Sequence, residues 1–132
     1  MLNLLPYVSI LTFIFFFLSI RVIKRRRTLK IGMGDTGNNE MIRAMRVHAN
    51  FAEYVPLSLF VIYLCEVSGA YPFFIHGAGL LLVLGRLTHA YGVSQIEENF
   101  RFRVSGMAMT FTVLLSASVY LLFMYFQFPQ LK

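Results

Sequence analysis

Four predominantly apolar runs follow one another along the chain, with polar breaks between them. A bilayer core takes about 20 apolar residues per helix, so the runs predict transmembrane helices over about 4–23, 41–65, 72–93 and 103–128. Residues 24–40 hold a basic run and then Gly32, Gly34, Asp35, Gly37, Asn38 and Asn39, types that favour turns and end helices. Residues 66–71 contain Ser68 and Gly69 and are few enough to imply an antiparallel hairpin. The third break contains Gln95, Glu97, Glu98 and Asn99. With no repeat and no separate soluble segment, residues 1–132 read as one domain: an all-α integral membrane protein, a bundle of four transmembrane helices.

Composition strengthens this reading. Of 132 residues 58% are hydrophobic and 14% charged, with a mean hydropathy of +0.67, whereas a soluble domain carries about 25% charged residues. The lone Cys65 excludes a disulfide framework and a cysteine-based metal site, and no metal is expected. Twelve Lys+Arg against six Asp+Glu leave a net charge of +6. Nucleic-acid binding needs a solvated basic face, for which this chain has too little polar surface, so no nucleic-acid partner is expected.

The basic residues are placed unevenly. Arg21, Lys24, Arg25, Arg26, Arg27, Lys30, Arg43 and Arg46 cluster around the first break, Arg86, Arg101 and Arg103 around the third, and only Lys132 lies elsewhere. Cytoplasmic loops retain Lys and Arg, which predicts that both clusters are cytoplasmic and that the two termini and the 66–71 hairpin are outside. The first run has no positive n-region and no small-residue cleavage site, so it is expected to remain in the mature protein. Arg25, Arg26 and Arg27 are accounted for as anchors meeting anionic membrane lipid.

The second run is not explained by topology. Arg43, Arg46, Asn50, Glu53, Tyr54 and Leu57 form one helical stripe running from the basic end toward mid-membrane. A lipid-facing Arg or Glu at that depth costs at least ~2.5 kcal/mol, so the stripe is expected to face other helices or a wet cleft. One alternative is a buried lattice, Arg46 with Glu53 or Arg43 with Asn50, that only fixes packing. The other is an anion site, since cations outnumber acids here. His48 stands off the stripe and is expected to pack locally. Pro56 should bend the helix and open room beside Glu53. Arg86 and His89 share a face of the third helix, and Arg101 and Arg103 open the fourth, so three helices bring cations to one depth. Gly77, Gly79, Gly85, Gly106, Ala108, Ser116 and Ala117 are expected to permit close helix contact. Cys65 lies far from the cations and is expected to carry no chemistry.

Residues 46–57, of the form R-x-x-x-N-x-x-E-Y-x-P-L, resemble the second-helix signature of the MAPEG family, the membrane-associated proteins in eicosanoid and glutathione metabolism; Gly85-Arg86-x-x-His89 and the arginines opening the fourth helix are similar too. The resemblance implies a four-helix protomer assembled as a homotrimer, with glutathione between protomers at the cytosolic side. It further implies that Arg26 (with Arg25 or Arg27 as substitutes) and Arg46 hold the carboxylates. Asn50 would bond the peptide backbone, Glu53 the ammonium, and Tyr54 and His89 would complete the wall. The catalytic arginine maps to Arg103, with Arg101 as fallback, and would favour the glutathione thiolate. Relatives carry a tyrosine four residues beyond the His89 position, where this chain has Val93.

The function expected on these grounds is a glutathione-dependent transferase or peroxidase acting on lipophilic electrophiles or lipid hydroperoxides. Non-enzymatic alternatives are a four-helix transporter or binding protein, or a MAPEG scaffold binding another thiol or lipid. Small multidrug exporters, of similar length, depend on an acid in the first helix, and the only intramembrane acid here is Glu53, which favours the enzyme. Short loops and the lack of a retention signal point to a bacterial inner membrane.

Overall fold

A computed structural model describes residues 2–97 and 99–127, and all regular structure among them is helical: α1 Leu5–Leu29, α2 Asn39–Val67, α3 Pro72–Ser94 and α4 Phe100–Gln127. Phe128, the expected end of the fourth span, lies outside the described residues, as do Glu98 and Lys132. All four helices are long and apolar enough to cross a membrane.

Hydropathy places the spans, but capping chemistry sets the helix ends. α1 continues past Ile23 through the basic run, because Lys and Arg are good helix formers, and stops where Lys30 turns left-handed at φ 55°. Asn38 starts α2 by accepting the Met41 N–H on Oδ1 at 3.0 Å, with Glu40 in the first turn. Asn99 does the same for α4, accepting the Arg101 N–H on Oδ1 at 3.1 Å, so that helix begins ahead of Arg103. At about 1.5 Å per residue, the 29 residues of α2 span about 43 Å, well beyond a 30 Å apolar core. Its basic end therefore projects into the interface.

α3 is the centre of the bundle and buries residues along most of its length, from Ile75 through Leu82 to Val93. Its closest partner is α4. A Cβ on Gly106 would sit 2.6 Å from the Gly85 carbonyl oxygen and 2.6 Å from the His89 nitrogen, so the two backbones touch there. Gly92 has a similar role: a Cβ there would meet the Arg103 nitrogen at 2.9 Å. Gly79 accommodates the Tyr7 ring, and the fully buried Ala117 accepts the Cys65 thiol hydrogen at 3.4 Å. Gly77 has open space around it, and Ala108 and Ser116 are exposed, because they lie on faces turned away from the rest of the bundle.

Polar contacts lock the ends. At the 66–71 end, Glu66 accepts from the Asn3 backbone N–H, the Asn3 Nδ2 at 2.9 Å and the Leu4 N–H at 3.2 Å, supplying from α2 the N-terminal cap that α1 lacks. Tyr7 Oη and His76 Nδ1 share a hydrogen bond of 3.0 Å nearby. Glu66→Ala is therefore expected to cost about 1 kcal/mol in denaturation of the solubilised protein, with amide exchange faster at the start of α1. Further along, His48 stacks on Phe15 with centroids 4.9 Å apart and shares a 3.1 Å hydrogen bond with Ser19 Oγ, the local packing expected of it. At the basic end, Arg21 donates to Ser94 Oγ at 2.6 Å. α2 runs unbroken through Pro56, and the hollow bordering Pro56 lies against Leu11 and Phe15 of α1 instead of beside Glu53.

Candidate functional site

The helical period carries Arg43, Arg46, Asn50 and Glu53 along one side of α2. Together with Asn39 and Ile42 of the same helix, His89 and Val93 of α3 and Arg103 of α4, they line a cleft of about 240 Å³. Arg46, Glu53 and Arg103 are exposed and His89 is buried, so the cleft has a floor on α3 and an open side. The close approach at Gly92 and Gly106 brings the first turns of α4, and Arg103 with them, against the C-terminal end of α3.

Under the cleft is Arg86, only 1% exposed. Its Nη1 donates to Asn50 Oδ1 at 2.8 Å, and its Nη2 to the Gly106 carbonyl at 3.3 Å and Met107 Sδ at 3.3 Å. The Tyr54 ring lies 5.7 Å from the guanidinium carbon, and Nε has no partner among the described residues. Burying a cation costs several kcal/mol unless bonds and partial charges offset it. Here the carbonyls and the π-face do so. Because Asn50 Oδ1 is engaged by Arg86, the side-chain amide is oriented and offers its N–H₂ as donor to a guest. Asn50 thus bonds Arg86, and Arg43 donates to the Val93 carbonyl at 3.0 Å and the Ile96 carbonyl at 3.2 Å, tying α2 to the end of α3.

Five of the eight residues to which the family resemblance gives a role meet at the cleft: Arg46, Asn50, Glu53, His89 and Arg103. Three do not line it. Arg26 lies on α1, donating to the Gly34 carbonyl at 2.9 Å and to Met45 Sδ at 3.4 Å, beside a separate hollow. Arg101 is exposed, and two residues of helix at about 100° each turn it to the side of α4 away from Arg103. Tyr54 packs edge-on against Phe111 at 5.7 Å. Tyr91 packs against Phe102 at 5.3 Å, and Val93 takes part in the cleft wall.

Arg86 is the residue that sequence reasoning undervalued. It was legible as one cation among several at the same depth, but an arginine in the middle of an apolar helix with no acid nearby is itself a signal of a buried anchor.

The cleft can hold an anionic guest. Its lining presents three guanidinia and one carboxylate, a net of +2 with His89 neutral, beside an amide donor. Arg fits carboxylates with two parallel N–H bonds, and a carboxylate such as that of Glu53 can accept from an ammonium. Among the described residues no group of His, Cys, Asp and Glu could hold a metal ion.

Comparison with known proteins follows the same lines. The sequence model of the MAPEG family matches residues 4–123. The inner membrane protein YecN of Escherichia coli K12 is 36% identical over 97 residues, 74% of this chain and 72% of YecN. YecN of Escherichia coli O6:H1 (strain CFT073) matches to the same extent.

Proposed function

Because the chain belongs to the MAPEG family of membrane proteins, we propose that the cleft binds glutathione and holds it as the thiolate for reaction with lipophilic electrophiles or lipid hydroperoxides, as a glutathione transferase or peroxidase. The observation that carries this reading is the charge of the lining. Glutathione with its thiol ionised bears two carboxylates, a thiolate and an ammonium, a net of −2, against three guanidinia and one carboxylate in the cleft. Arg46 and Arg43 suit the carboxylates, Glu53 the ammonium, and the oriented Asn50 amide a peptide carbonyl.

Arg103 then takes the sulfur. A free thiol has a pKa of about 8.5, and a guanidinium beside it favours the thiolate, which is the nucleophile. The first turn of α4 adds the positive end of a helix dipole. The electrophile reaches the sulfur from the bilayer, past the exposed apolar side chains of α4.

At about 240 Å³ the cleft is smaller than the roughly 300–1,000 Å³ common for small-molecule sites, and its side at Arg46 and Glu53 is open. A neighbouring protomer of a homotrimer would supply the missing wall. By the distribution of basic residues, the cleft faces the cytoplasm and both termini lie outside, in an inner membrane such as that in which the relatives are found.

Millimolar glutathione is expected to raise the unfolding temperature of the detergent-solubilised protein and to produce the ultraviolet difference band of a thiolate. No stabilisation would sink the proposal. Arg103→Ala should remove the band yet keep most of the stabilisation, whereas a band lost in Arg101→Ala and kept in Arg103→Ala would transfer the role to Arg101.

A further inference from the structure

A second basic feature lies apart from the cleft. Where α1 ends, Ile23, Arg26, Arg27, Lys30, Ile31 and Gly32 border a hollow of about 390 Å³ on the outer side of the bundle. Basic residues at a helix end usually answer its unsatisfied carbonyls. Here the backbone answers two of them: the Lys30 N–H bonds the Arg27 carbonyl at 3.3 Å and the Ile31 N–H the Arg26 carbonyl at 3.0 Å. The αL turn at Lys30 thus does part of the capping through the backbone, and the side chains of Arg27 and Lys30 are exposed beside it.

The nearby acids are engaged elsewhere. Glu40 pairs with Arg25 at 2.9 Å, and Asp35 accepts the Gly37 N–H at 2.8 Å within its own turn. Arg26 is held over the hollow by the Gly34 carbonyl and Met45. The resulting surface is two-sided. Ile23, 44% exposed, faces the bilayer one turn before Arg27, and Ile31, 9% exposed, forms an apolar base. Three cations at the interface above an apolar wall complement a negatively charged headgroup whose acyl chains continue into the membrane. The negative end of the α1 dipole opposes an anion by about 0.3–1 kcal/mol, while each surface cation contributes about 1 kcal/mol toward an anionic lipid, so three cations prevail.

We propose that the C-terminal end of α1 is a binding site for the phosphodiester headgroup of an anionic phospholipid, with Arg26, Arg27 and Lys30 around the phosphate and Ile23 against the first acyl carbons. This site is distinct from the cleft and does not depend on what the cleft binds. Its specificity is local: Lys24, about 100° further round α1 than Ile23, carries the same charge outside the hollow.

The experiment is native mass spectrometry of the full chain titrated with phosphatidylglycerol or with phosphatidylcholine of the same acyl chains. Phosphatidylglycerol is expected to bind about tenfold or more tightly than phosphatidylcholine, and Arg27→Gln and Lys30→Gln should each weaken it about fivefold, the equivalent of one phosphate contact. Lys24→Gln should change it by less than about twofold, as expected for a screened charge outside the site. Equal retention of the two lipids would overturn the proposal. An equal loss in Lys24→Gln would overturn it too, because the attraction would then belong to the whole basic surface. Competition by inorganic phosphate at lipid-like concentrations would show a site for soluble anions and no lipid site.

Discussion

Arg86→Leu is expected to destabilise the solubilised protein by about 3 kcal/mol and to weaken glutathione binding at least about tenfold. The guanidinium occupies the interior between α2, α3 and α4, and leucine fills neither its volume nor its bonds. The Gly106 carbonyl keeps the Thr110 hydroxyl as donor at 3.0 Å, but the half-buried Asn50 Oδ1 loses the Arg86 Nη1 bond at the floor of the cleft. A half-buried acceptor stripped of its donor costs about 1 kcal/mol, the lower end of the range for buried groups, and the cavity left by the fully buried guanidinium supplies most of the rest. Relief from burying a charge works in the opposite direction. The added change Asn50→Leu decides between these effects. If Arg86 serves chiefly to satisfy and orient Asn50, the double variant recovers much of the stability while glutathione stabilisation stays lost. Chemical denaturation and ligand-induced thermal shifts measure the two separately. Full glutathione affinity in stable Arg86→Leu protein would contradict the assignment of Asn50 as a donor oriented from below.

Gly106→Val should separate α3 from α4 and cost at least about 3 kcal/mol, the upper part of the range for overpacking. The atoms that a Cβ would strike, the Gly85 carbonyl oxygen and the His89 nitrogen, are both backbone and 2.6 Å away, so no side-chain rotation can relieve the clash. Because Arg103 rides on the same helix, the thiolate band should fall further than the stability of the surviving folded fraction explains. Gly77→Val is the control. Open space surrounds Gly77, and its substitution should stay within about 0.5 kcal/mol, the usual scale for a surface change. Equal costs at the two positions would mean that α3 and α4 do not touch at Gly106.

Much of the candidate site was legible because both signals that place it are strong in a membrane. Ionised groups are so costly among lipid that Arg46 and Glu53, on one helical stripe, had to face something polar. The spans were legible for the same reason. Their ends were read less well, because hydropathy falls off at Ile23 and again ahead of Arg103, while the helices obey Lys30, Asn38 and Asn99, whose capping bonds are local and indifferent to the bilayer.

The choice among the arginines was beyond periodicity. Arg101 and Arg103 differ by two residues, and either can face α3 until the rotation of α4 is known; the contact of Gly106 with Gly85 and of Gly92 with the Arg103 backbone sets that rotation. Likewise Asn50 had several cations in reach by sequence, and packing chose Arg86 of α3. The sequence by itself determined four spans, a basic end and a polar stripe on α2, since those follow from the cost of each residue in lipid and the period of a helix. Only the tertiary structure decided which cations share a cleft, which one is buried beneath it and which stand apart at the end of α1, because these depend on how closely small residues let the helices approach and how far each is turned about its axis.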